Sequence, residues 1–79
     1  MISEAKRLVA LPNLPIDGVA RVVDVDAQSD DAARLKALGI CVDRKIQLMK
    51  AGDPLIVRVV GTRVGLSARL AEAVRVEPV

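Results

Sequence analysis

Short runs rich in apolar residues and broken by single polar residues recur along the second half of the chain, a pattern typical of β-strands. The run 55–60 reads LIVRVV and the run 46–49 reads IQLM, so each places successive side chains on opposite sides. The shorter segments 64–66, VGL, and 74–76, VRV, each place two aliphatic residues on one side and predict two further strands, and Pro78 ends the last one. These segments predict four short strands joined by tight turns.

A further strand is predicted over residues 19–26, although its apolar residues do not keep one alternation. A β-bulge at Val22 and Val23 would restore the pattern, because one extra residue shifts every following side chain to the other face. The first strand is therefore predicted to bend near its middle.

One short helix is predicted after this strand. Ser29 precedes Asp30 and Asp31, an arrangement in which a side-chain oxygen caps free amide groups and carboxylates lie at the positive end of the helix dipole. The helix is predicted over residues 30–38. Gly39 ends it, since glycine adopts the left-handed conformation of a helix C-terminus without steric cost.

These five strands, the inserted helix and a helical turn over residues 67–72 predict a mainly β fold, a small five-stranded SH3-like barrel with one short inserted α-helix. The 79 residues allow one core, and 52% of them are apolar with no aromatic residue, so Val, Leu, Ile and Ala must fill it. The domain is predicted to span residues 11–79, and residues 1–10 to form an N-terminal arm or a short helix. Turn and helix-end residues are expected to be structural: Gly18, Gly39, Gly52, Pro54 and Gly61.

Charge is distributed evenly along the chain. Twelve Lys or Arg residues stand against ten Asp or Glu residues, and the net charge is +2. Nucleic-acid binders concentrate basic residues and often stack bases on aromatic side chains, so we expect no nucleic-acid partner. No secretory signal and no apolar run of about 18 residues is present, so no membrane insertion is expected. With one cysteine, no internal disulfide can form, and the cytoplasm is the expected location.

The sequence offers little reactive chemistry. It contains no histidine, the commonest general base and metal ligand. Cys41 lies between two apolar residues, where a small apolar side chain with an unreactive thiol is the expected role. The four aspartates between residues 24 and 31 lack the ligand spacing of a calcium loop. We therefore predict that the protein is not an enzyme and has no catalytic residue, cofactor or metal site.

An exposed sheet face remains as the candidate functional surface. If one side of the strand at 55–60 fills the core, the other side faces outward together with part of the strand before it. Aliphatic side chains beside an arginine suit a protein interface. Four residues are predicted to contact a partner: Met49, Ile56, Arg58 and Val60. Alternatively, the small helix or the N-terminal arm covers these side chains as a second small core.

The order of these segments resembles the FeoA family of small SH3-like proteins over residues 11–77. The most specific likeness is at residues 34–40, RLKALGI, which are similar to the family's RLxxLGI helix end. Residues 14–18, LPIDG, resemble its lead-in to the first strand, and residues 53–61, DPLIVRVVG, resemble its DPLxxxVxG hairpin. Two positions depart from the family pattern, with an aspartate where glycine is usual and a serine where a basic residue is common. These are Asp43 and Ser67.

The resemblance implies a cytosolic accessory protein of ferrous iron uptake, which docks on the cytosolic part of the membrane transporter FeoB and modulates it. Two alternatives stay open: the SH3-like regulatory module of an iron-dependent repressor, and a general protein-interaction barrel. The first would require a helix-turn-helix segment, which the first ten residues do not provide. A small RNA-binding barrel is disfavoured by the missing aromatic residues. Assembly into a homo-oligomer is left open.

Overall fold

The computed structural model describes residues 8–79, which form one six-stranded antiparallel sheet and short helices. In chain order the elements are β1 Val9–Ala10, a 3-10 helix Leu11–Asn13, β2 Val19–Val25, α1 Ser29–Ala37, β3 Lys45–Lys50, β4 Leu55–Val59, β5 Thr62–Leu66, α2 Ala68–Glu72 and β6 Val74–Pro78. The strand order across the sheet is β1-β6-β2-β3-β4-β5. The mainly β, SH3-like fold is therefore confirmed. Among the strands of residues 8–79, β1 and β5 have one neighbour each, so the sheet is open where the sequence predicts a closed barrel.

The five predicted strands are present, and a sixth precedes them. Val9 pairs with Val76 and Ala10 with Arg75, so β1 is a strand where the sequence predicts an arm or a short helix. Two residues are too few to show an alternation, and pairing with β6 is what makes them a strand. The rest of that predicted arm, residues 1–7, lies outside the described residues.

Strand β2 contains the predicted bulge. Its pairing with β6 shifts register between Val22 and Asp24, which leaves Val23 without an opposite residue. Val22 is fully buried and Val23 is half-buried. The extra residue bends β2 and lets its apolar side chains reach the core on both sides of the bulge.

Helix α1 begins one residue earlier than predicted. Gln28 occupies the N-cap position, and its carbonyl oxygen accepts a hydrogen bond from the amide of Ala32 at 2.7 Å. Ser29 is therefore already inside the helix and is not the N-cap residue that the sequence predicts. Asp30 and Asp31 lie in the first turn, where carboxylates interact favourably with the helix dipole.

The end of α1 is formed as predicted, at Gly39. Its φ is +93°, and its amide donates to the carbonyl of Lys36 at 2.9 Å. The amide of Ile40 donates to the carbonyl of Leu35 at 3.0 Å. These two bonds satisfy carbonyl groups that the helix leaves unpaired, and they require a left-handed residue between them. Because Ile40 and Leu35 are both buried, this helix end also sets where α1 meets the core.

Buried apolar side chains from every strand of the sheet except β1, together with both α-helices, form one core. No polar or charged residue of the described chain is buried. The buried residues are Leu11, Leu14, Ala20, Val22, Leu35, Ile40, Ile46, Leu48, Leu55, Val57, Val59, Leu66, Leu70, Ala71, Val74 and Val76. Alternate residues of β3 and β4 enter this core, so the intervening residues of the two strands face away from it.

Candidate docking surface

Strands β3, β4 and β5 present one face away from the core. In the register of the sheet, Gln47 lies opposite Arg58, and Ile56 lies opposite Gly65. We name this side the outer face, and its residues are Gln47, Met49, Lys50, Ile56, Arg58, Arg63 and Gly65. The pairing of β3 with β4 shifts between Leu48 and Lys50, which brings both Met49 and Lys50 beside Ile56.

The four predicted contact residues lie on this face or at its end. Met49 and Ile56 are half-buried, and Arg58 is exposed. Ile56 lies over Gly65, since an added Cβ on that glycine would be 3.7 Å from the Ile56 Cδ1 atom. Val60 is 67% exposed, but it belongs to the turn after β4 and not to the strand. Arg58 and Val60 are not buried by the described residues and are exposed to solvent. Their contact with a partner stays a prediction.

The turn between β4 and β5 has an unusual composition. Val60 has φ +52° and Gly61 has φ +76°, so both central residues are left-handed, as in a type I′ hairpin turn. Asn or Asp followed by Gly is the usual choice there, and a β-branched residue at positive φ is a genuine outlier. The hairpin therefore carries an exposed valine in a strained conformation at its tip.

Two arginines face each other on the β4–β5 hairpin. Arg58 is paired in register with Arg63, and both are exposed. Neither forms an ion pair with another described residue. Like charges directly opposite one another destabilise a strand pair. Sequence reasoning missed Arg63 because it assigned residues 61–63 to the connection, whereas β5 begins at Thr62.

An ion-pair network joins the opposite part of the sheet. Arg21 on β2 donates to Asp43 Oδ1 at 2.6 Å and to Glu77 Oε1 at 2.7 Å. The hydrogen bond to Glu77 is the main cause of the raised pKa of the Arg21 guanidinium, and Asp43 adds to it. Asp43 has φ +74°, a conformation that aspartate tolerates better than most residues. An aspartate therefore fits this turn, and its carboxylate binds Arg21.

A shallow cleft of about 300 Å³ lies between the start of α1 and α2, lined in part by Asp26, Asp31 and Arg69. Arg69 donates to Asp31 Oδ2 at 2.9 Å, and this bond is the main reason why the pKa of the Asp31 carboxyl lies below its ordinary value. The same bond raises the pKa of Arg69. The two charged groups neutralise each other across the cleft, which favours a structural role for the pair.

Local hydrogen bonds hold the start of α2. The hydroxyl of Ser67 accepts a bond from the amide of Leu70 at 3.2 Å, so Ser67 is the N-cap residue of α2. Asp53 Oδ1 accepts a bond from the amide of Ala68 at 3.1 Å, which joins the turn before β4 to the same helix. A serine at position 67 thus has a capping function in this chain.

Reactive groups are sparse in the described part of the chain. Cys41 is half-buried, and Arg44 Nη2 lies 3.9 Å from its Sγ atom. No group of three or more metal-ligating side chains occurs within residues 8–79. Within the same range, no helix has the length and apolar character needed to cross a bilayer.

The open sheet, the bulged β2 and the short α2 before the last strand define an SH3-like β domain. The family model described as "FeoA domain" matches residues 9–78. The chain belongs to the FeoA family. Membership implies an accessory role in ferrous iron transport.

Solved structures agree with this assignment. The FeoA protein of Stenotrophomonas maltophilia, crystallised with zinc, is 31% identical over 85% of this chain and 87% of that chain, with a TM-score of 0.73. A crystal structure of an iron uptake regulatory protein, FeoA, has a TM-score of 0.87 at 23% identity, covering 92% of this chain and 99% of that chain. IdeR from T. acidophilum has the same fold, with a TM-score of 0.87 at 22% identity over 99% of this chain and 37% of that chain. A comparison with curated protein sequences gave no significant match.

Proposed function

We propose that this protein is a cytoplasmic accessory of ferrous iron uptake, which docks on the cytosolic part of the membrane transporter FeoB and modulates it. The observation that carries this proposal is the match of the FeoA family model to residues 9–78, which is nearly the whole described chain. An accessory role requires a surface that recognises another protein.

The outer face supports docking as the mode of action. Met49 and Ile56 supply half-buried aliphatic surface, Arg58 projects beside them, and Val60 extends the apolar surface at the hairpin tip. Methionine and arginine are enriched in protein interfaces, whereas lysine and glutamate are depleted. A partner that covers this face would bury aliphatic side chains and bind an arginine that has no ion pair with another described residue.

The test compares two charge reversals in binding and transport assays. The chain carrying Arg58→Glu should lose about tenfold or more in affinity for the cytosolic part of FeoB and should fail to restore ferrous uptake in cells lacking the wild-type chain. Lys36→Glu is the matched control, because it makes the same charge change at an exposed position of α1, outside the outer face. If Arg58→Glu bound as the wild type does, the docking face would be wrong. If the wild type failed to bind FeoB, the partner would be wrong.

A second candidate function is that of the SH3-like regulatory module of an iron-dependent repressor. The similarity to IdeR, which covers 99% of this chain, favours it. Affinity purification from cell extracts separates the two candidates. Recovery of a DNA-binding protein in place of a membrane transporter would support the regulatory module.

A further inference from the structure

Strand β5 is an edge of the sheet. Its neighbour on one side is β4, and no described strand pairs with its other side. Its first four residues are exposed or half-buried, so neither helix covers this edge. A free strand edge presents a row of backbone donors and acceptors that another chain can pair with.

The register of the hairpin shows which backbone groups face the open side. Val59 and Thr62 close the two-residue turn and form its hydrogen-bonded pair, so pairs along the ladder alternate from there. Arg58 with Arg63, and Ile56 with Gly65, are then the non-hydrogen-bonded pairs. The amide and carbonyl groups of Arg63 and Gly65 therefore point away from β4. No described residue outside the sheet hydrogen-bonds to them.

The charge of the side chains beside β5 determines which kind of partner segment this edge would bind. In a non-hydrogen-bonded pair the Cα atoms are about 4.5 Å apart, which brings the side chains of Arg58 and Arg63 closer than in the alternate pairs. Lys50, at the end of β3, adds a third cation without a described ion-pair partner on the same outer face. The outer face next to the free edge is therefore positive, although the net charge of the chain is only +2.

We propose that β5 receives an extended acidic segment of a partner protein as an added seventh strand. The segment forms backbone hydrogen bonds with Arg63 and Gly65, and its outward-facing carboxylates bind Arg63 and Arg58. Directly opposite residues in paired strands have Cβ atoms about 4.5–5.5 Å apart, which suits an ion pair with Arg63, and the long side chain of Arg58 reaches across β5. This inference rests on the proposed function only for the identity of the partner.

A second copy of this chain fits the edge less well than an acidic segment. Pairing β5 with β5 would bring the arginines of both copies together, and like charges across strands are destabilising. An acidic strand instead relieves the repulsion that the isolated hairpin contains. The strained Val60 at the hairpin tip belongs to the same element, and such departures from local preference concentrate at functional sites.

The test uses nuclear magnetic resonance and two probes. The first probe is an end-capped octapeptide of alternating Val and Glu, with versions that carry Lys in place of Glu or N-methyl groups on alternate residues. The second is the purified cytosolic part of FeoB. The Glu peptide should shift the β5 resonances and slow hydrogen exchange of the Arg63 and Gly65 amides at least threefold. The Lys and N-methylated peptides should have no such effect.

Variants separate recognition from folding. Arg63→Glu turns a like-charge pair into an opposite-charge pair, so it should raise Tm by roughly 1–5 °C while it reduces binding of the Glu peptide about tenfold or more. Lys36→Glu changes the net charge equally and should leave binding unchanged. Binding of the Glu peptide should also weaken between 50 and 500 mM salt, since exposed ion pairs are screened.

Each combination of results decides between the two proposals. If both probes slow hydrogen exchange of the Arg63 and Gly65 amides, and Arg63→Glu abolishes this protection, strand addition and the proposed function are both supported. If FeoB binds but leaves the Arg63 and Gly65 amides exchanging freely, the strand-addition proposal is overturned while the proposed function stands. Protection by the Glu peptide without FeoB binding would leave strand addition supported and remove FeoB as the partner. The absence of binding by both probes would overturn both.

Discussion

Replacement of Val60 tests whether the hairpin tip is strained. Val60 has φ +52° next to Gly61 at +76°, and Val60→Asn places the favoured residue of a type I′ turn at its first central position. A left-handed conformation costs an L-residue roughly 1–2 kcal/mol, and asparagine is among the residues that bear this cost best. We expect the variant to be more stable than the wild type.

The expected stabilisation by Val60→Asn depends on how much of the Val60 side chain is exposed. Because Val60 is 67% exposed, the substitution loses only about a third of the free energy of burying a valine side chain. That third is about 0.5–1 kcal/mol. Relief of about 1.5 kcal/mol of strain then leaves a net stabilisation of roughly 0.5–1 kcal/mol. For a domain of this size, that corresponds to a rise in Tm of roughly 2–8 °C.

The assay is thermal and urea denaturation of the wild type and two variants. Val42→Asn is the matched control, since Val42 is 53% exposed and does not have a positive φ. It should leave the free energy of unfolding unchanged or slightly lower. A Val60→Asn variant no more stable than the wild type, or one that shifts Tm as much as the control does, would refute the strain at the tip. If the tip contacts the partner, the stabilised variant should nonetheless bind it less tightly.

Gly39→Val should lower the free energy of unfolding by about 1–3 kcal/mol, because a β-branched residue would have to adopt φ +93°, and an unchanged Tm would contradict this. Leu48→Ala removes a fully buried side chain and should cost about 2–5 kcal/mol in urea denaturation, and a loss below about 1 kcal/mol would mean that the core is loosely packed. The pair Asp31–Arg69 should stabilise the fold above the unfolded-state pKa near 4 and cease to do so as the pH falls through the lowered pKa of Asp31. Asp31→Asn should flatten this acid dependence of Tm, whereas Asp30→Asn, in the same helical turn, should retain it.

Local signals predicted the helix end at Gly39 and the presence of five of the six strands. The stop at Gly39 could be predicted because one residue type tolerates the left-handed conformation that the two helix-ending hydrogen bonds require. The alternation in β3 and β4 divides each strand into two sides, and the structure buries the side that holds Ile46, Leu48 and Val57. In these cases, the determining interactions span only a few residues.

The start of α1 and the edges of the sheet could not be predicted in the same way. Ser29 is a good capping residue, but the helix begins at Ser29 itself, because Gln28 already accepts the first helical hydrogen bond. Strand β1 has two residues, and only its pairing with β6 defines it. The Val60–Gly61 turn could not be predicted because valine is rarely left-handed. The turn was therefore placed too late in the chain, and Arg63 was not recognised as a residue of β5.

The amino-acid sequence by itself determined the mainly β, SH3-like class, the division of β3 and β4 into two faces, and the end of α1, because these depend on periodicity and local backbone preference. Only the tertiary structure decided that the sheet of the described strands stays open, that Arg58 and Arg63 face each other, and that no described strand pairs with the backbone groups of Arg63 and Gly65 on the far side of β5. Those features depend on strand register and on which strands lack a neighbour. The Arg58–Arg63 pairing follows from the two-residue Val60–Gly61 turn, which the residue types do not reveal because valine is rarely left-handed. Which strands lack a neighbour is set by contacts between distant segments.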